Sequence, residues 1–66
     1  NHSQMIANIM SARMKDLGMT QKMLAEKMNC TQQYISKILK GRENLSLEAI
    51  NKIENALDIH FLQMNE

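Results

Sequence analysis

A chain of 66 residues supplies one small hydrophobic core at most, and a core of that size leaves net stability on the order of a few kcal/mol. Cys30 is the only cysteine, which excludes an internal disulfide, a CxxC redox pair and a zinc knuckle and fits a reducing, cytoplasmic setting. The net charge of +1 hides an asymmetry. Residues 1–42 hold seven of the eight Lys and Arg against Asp16 and Glu26, a balance of +5. Residues 43–66 hold Lys52 against Glu43, Glu48, Glu54, Asp58 and Glu66, a balance of −4. One surface facing a polyanion and one facing away follow from that division. No apolar run approaches the roughly 18 residues of a membrane span, and no signal-peptide pattern appears. Seven methionines and 3% aromatics make the core aliphatic and thioether. The absence of proline leaves helices uninterrupted.

The first predicted helix runs over about residues 3–17, with Ser3 as a cap. Ile6, Met10, Met14 and Leu17 recur at helical spacing, with Ile9 beside them, and form its apolar stripe. Gly18 ends it in a left-handed conformation. Thr20 caps a second helix over about 21–28, which buries Leu24, Ala25 and Met28. Ala25 is small enough to let a crossing helix approach closely. Asn29 tolerates the left-handed backbone that a tight turn requires. Cys30 is read as a small inward-facing apolar residue.

Thr31 begins a third helix that extends to about Lys40 and stops at Gly41. At about 100° per residue, Gln32, Gln33, Ser36, Lys37 and Lys40 fall within an arc of about 140°. Ile35, Ile38 and Leu39 lie opposite, with Tyr34 at the boundary. From Lys27 to Arg42 there are four cations and no carboxylate. Phosphate would repel a carboxylate, so an acid-free polar face suits a helix that lies in a DNA groove. After the loop, Ser46 opens a fourth helix over about 46–57, with Glu48 complementing the helix dipole and Leu45 and Ile50 placed as a hydrophobic staple. Ala49, Ile50, Ile53, Ala56 and Leu57 form its apolar stripe. Its outer side is acidic and is expected to face away from nucleic acid.

The tail, residues 58–66, alternates Asp58, Ile59, His60 and Phe61, followed by Leu62 and Met64. Two readings stay open. One is a short strand that pairs with a second copy. The other is a fifth short helix or turn in which Ile59 and Phe61 cap the core.

Taken together, TQKMLAEKMNCTQQYISKILKG followed by RENLSLEAINKIENALDI resembles the helix-turn-helix domain of Cro- and phage-repressor-like (Xre-type) regulators, a family that includes many antitoxins. The resemblance covers about residues 5–59 and implies an all-α fold of four to five helices. It implies that Gln21 holds a DNA phosphate and braces Gln32, that Gln32 contacts adenine, and that Gln33 contacts a neighbouring base. Lys37 would sit over the next base or phosphate, and Ser36 shares that face. Thr31, Tyr34, Lys40, Arg42 and Asn44 would grip the sugar-phosphate backbone. The chemistry agrees independently, because a glutamine amide matches N6 and N7 of adenine and lysine suits guanine or phosphate. Two departures stand out. Asn29 replaces the usual turn glycine, and Met14 and Leu39 replace a buried Arg–Glu pair. An apolar pair can serve as well there, so Met14 and Leu39 are expected to touch.

The expected function is sequence-specific binding of double-stranded DNA by a dimeric repressor, with Ile59, Phe61, Leu62 and Met64 as candidate dimer or partner contacts. The alternative is an antitoxin or interaction module whose C-terminal segment grips another protein. An enzyme is not expected: His2 and His60 lie at opposite ends of the chain, and no metal-ligand spacing, carboxylate pair or activated nucleophile appears. No cofactor or metal is expected.

Overall fold

The structure, a computed structural model, describes residues 2–61. Four helices follow in order: α1 (His2–Leu17), α2 (Gln21–Met28), α3 (Gln32–Leu39) and α4 (Leu47–Leu57). Three of them start on a hydroxyl cap. The side chains of Thr20, Thr31 and Ser46 accept hydrogen bonds from the backbone N–H groups of Met23, Tyr34 and Ala49, each at 3.1 Å. Each cap satisfies a donor that the first helical turn cannot pair. The Thr31 cap also sets where α3 begins. Thr31→Ala is expected to lower stability by about 1 kcal/mol in a urea melt, with an unchanged midpoint counting against the cap.

Every helix is closed by a residue with positive φ: Gly18, Asn29, Gly41 and Asp58. After α1 the Met19 N–H bonds the Met14 carbonyl and the Gly18 N–H bonds that of Lys15. After α2 the Cys30 N–H reaches the Ala25 carbonyl and the Asn29 N–H that of Glu26. This is the Schellman pattern, and it turns the chain sharply within two residues. Asn29 therefore takes the left-handed turn expected of it, at φ 58°.

The tail is decided by the same chemistry. Asp58 is left-handed at φ 55°, and the Ile59 N–H bonds the Glu54 carbonyl. The Phe61 N–H donates to the Glu54 carboxylate at 2.7 Å. Residues 58–61 thus fold back onto α4, and Ile59 and Phe61 pack against the core. No strand forms among the described residues. The alternation of Asp58 to Phe61 arises from a helix-closing turn, since a left-handed residue cannot continue an extended strand. Leu62 and Met64 lie outside the described residues.

The core joins all four helices. Met10, Leu24, Ile35, Ile38, Ile53 and Leu57 are almost fully buried, with Ile6, Met14, Ala25, Met28 and Ala56 around them. Helix α3 packs on α1 and α2, and α4 packs on the same two helices. Met14 is buried, and Leu39 is half-buried against the same cluster. Ala49 and Ile50, expected in the α4 stripe, are half-buried.

Three details of α1 depart from expectation. Leu17 and Ile9 are exposed, and Ala7 is buried in their stead. Ile6, Ala7, Met10 and Met14 share an arc of about 100°, and Ile9 falls about 60° outside it. Leu17 points into that arc but occupies the last turn, where the chain leaves at Gly18. Ser3 is no cap, because the helix already includes His2. Its hydroxyl instead donates to the Glu43 carbonyl at 2.8 Å.

Candidate nucleic-acid interface

Helices α2 and α3 begin on one open groove, lined by Gln21, Gln32, Gln33 and Ser36. Gln21 is the first residue of α2 and Gln32 the first of α3. The N–H groups of the first two residues of each helix have no carbonyl within the helix to bond. Two positive helix ends and three side-chain amides therefore share one concavity. Such helix N-termini attract anions through both the free N–H donors and the dipole.

The polar arc of α3 stands in solvent. Gln32, Gln33, Lys37 and Lys40 are exposed and Ser36 is half-buried, while Ile35 and Ile38 on the other side are buried. Packing on α1 and α2 thus orients α3, and its unpacked side carries only groups able to bond bases or phosphates. Arg42 and Asn44 are exposed on the loop that follows. The Thr31 hydroxyl accepts from the Tyr34 N–H, which leaves its own hydrogen free to donate.

Tyr34 lies apart from the base-facing arc. It is half-buried in a cavity shared with Met28, Cys30, Ser46, Glu48, Ala49 and Lys52, between the turn and the start of α4. Burial raises its pKa above the usual tyrosine value, and the nearby Glu43 carboxylate and Cys30 add to the rise. Like any tyrosine at neutral pH, the phenol keeps its proton and can donate. Burial also pushes the Cys30 thiol up, opposed by Lys52, as befits a small inward-facing residue with little thiolate character.

Two features were not anticipated from the sequence. The first turn of α1 touches the loop after α3, through the Ser3 hydrogen bond and through Gln4, whose side chain lies over Gly41. Arg13 reaches across to α4, where its Nε donates to the Leu57 carbonyl at 2.8 Å. A cation at that carbonyl complements the C-terminal dipole of α4. Neither contact has a local signal, because the partners are 40 and 44 residues apart.

A family model described as helix-turn-helix matches residues 9–63. Comparisons with curated proteins and with solved structures returned no match. The matched span takes in the C-terminal half of α1, both helices at the groove and all of α4. The turn between α2 and α3, the acid-free outer side of α3 and the all-helical packing agree with that match. The chain belongs to the Cro- and phage-repressor-like (Xre-type) helix-turn-helix family, whose members are DNA-binding regulators.

Proposed function

We propose that this protein is a dimeric transcriptional repressor that reads the major groove of double-stranded DNA with α3. The observation that supports this most is the shared groove, where two helix N-termini and the amides of Gln21, Gln32 and Gln33 converge beside an acid-free helix face. Gln32 makes the paired contact with N6 and N7 of adenine, and Gln33 and Ser36 meet neighbouring base edges. Lys37 takes guanine or a phosphate. Gln21 holds a phosphate and braces Gln32. Thr31, Lys40, Arg42 and Asn44 grip the backbone, which sets the docking angle without reading sequence, while Tyr34, turned toward α4, stands outside this set.

One such module spans only a few base pairs, so useful affinity calls for two half-sites about one helical turn apart and hence two copies of the chain. Ile59 and Phe61 already pack on their own core, so a second copy meets the surface they leave, together with Leu62 and Met64.

Selection from random oligonucleotides tests both halves of the reading. A palindrome with half-sites spaced by about one turn is expected; a single asymmetric half-site would remove the dimer, and no enriched sequence would remove base reading. Lys40→Ala and Arg42→Ala should each weaken specific and random DNA together and lower the salt slope by about one.

A second reading, an antitoxin-like module whose C-terminal segment binds a partner protein, draws support from Ile59 and Phe61, apolar residues of that segment that are only half-buried. A protein that copurifies in fixed stoichiometry would favour it.

A further inference from the structure

We propose that the first turn of α1 positions the DNA-backbone grip: Ser3 and Gln4 clamp the loop on both sides of Arg42, so that Arg42 and Asn44 meet phosphate at a fixed angle. This rests on the DNA-binding reading above.

The clamp has two jaws. The Ser3 hydroxyl donates to the carbonyl of Glu43, the residue after Arg42, at 2.8 Å. On the other side the Gln4 amide lies directly over Gly41, the residue before Arg42, in the space that a Cβ would occupy. Gly41 is buried, whereas Arg42 and Asn44 are exposed. The Gln4 amide is itself steadied by donating to Asn8 Oδ1 at 3.1 Å.

Among the described residues, the loop between the close of α3 and the cap of α4 is also tied at its two ends. The Gly41 N–H bonds the Ile38 carbonyl at one end, and Ser46 caps α4 at the other. Leu45 packs on the core. Around Arg42 itself the described ties come from α1. A loop that samples several paths must be ordered when it meets DNA, and that ordering weakens binding. Pre-setting the path removes the penalty. Neither Ser3 nor Gln4 lines the groove or carries charge, so both act through the loop. They are positioning residues, and their effect falls on backbone contacts rather than on base reading.

The test uses Ser3→Ala, Gln4→Ala and the double variant, with Ser3→Thr as the change that keeps the hydroxyl. Binding is measured on the parent's selected duplex and on random duplex across a salt series, and backbone NMR is recorded on the free proteins. The double variant is expected to bind both duplexes about three- to tenfold more weakly, with a salt slope smaller by about one. Amides of Arg42, Glu43 and Asn44 should shift and exchange faster without DNA, and Ser3→Thr should stay near the parent. Weaker binding with unmoved loop amides would mean that α1 touches DNA directly, which overturns the clamp. Parent-like affinity and slope in the double variant would overturn it too, while leaving the DNA-binding reading intact. A parent that binds no DNA would overturn both. Should the double variant lose its fold, the single variants decide by the same readouts.

Discussion

Leu24→Ala leaves most of the domain unfolded, or close to its midpoint, at 25 °C in the absence of denaturant. Leu24 is fully buried in the cluster where residues of all four helices meet. Truncating a buried leucine removes its transfer free energy and leaves a cavity, at a cost of about 2–5 kcal/mol. Stability of about 0.05–0.08 kcal/mol per residue, the low end of the usual range as befits so small a core, puts a chain of this length at roughly 3–5 kcal/mol in total. One such substitution consumes about two-fifths of that at the least, and all of it at the upper end. No disulfide offsets the loss, since Cys30 is the chain's single cysteine. Urea melts followed by circular dichroism check this. A variant that melts at the parent's midpoint would mean that Leu24 is not a shared core residue. Because α2 also carries Gln21, DNA binding should fall in step with the folded fraction.

Gln32→Ala has the opposite profile. Gln32 is exposed at the start of α3, and its backbone rather than its side chain belongs to the helix. The melt should therefore stay within about 0.5 kcal/mol of the parent. On the selected duplex the variant should lose roughly 1–3 kcal/mol, the value of one paired amide–adenine contact. On random duplex the loss should be small, since nonspecific affinity comes from phosphate charge, which the change does not touch. Equal losses on the two duplexes would end the base-reading assignment for Gln32 and leave it a backbone contact. The contrast with Lys40→Ala and Arg42→Ala, which weaken both duplexes, separates reading from gripping.

The helix-turn-helix was legible because its information is local. Threonines at positions 20 and 31 mark the starts of α2 and α3, and the residues that close them bond carbonyls within five positions. The polar arc of α3 was legible for a related reason: helical spacing alone assigns Gln32, Gln33, Ser36, Lys37 and Lys40 to one side. The α1 errors came from treating an apolar residue as a buried one. Leu17 has the right angle, but its position in the last turn leaves nothing to cover it. The tail held a signal too, since aspartate is among the few residues that accept a left-handed backbone. Apolar alternation over four residues was too short to outweigh it.

By itself, the sequence determined to within about a residue where α2, α3 and α4 start and stop, which side of each of those three is dry, and which polar side chains share the outer arc of α3. Those features depend on bonds and spacings within one turn of helix, so they survive without knowledge of packing. The tertiary structure alone decided that the N-termini of α2 and α3 open on one groove, that Tyr34 turns toward α4, and that α1 reaches the loop around Arg42 and the end of α4. Those pairings join residues far apart in the chain. They arise only when the core of Met10, Leu24, Ile35, Ile38, Ile53 and Leu57 closes and fixes how the four helices cross.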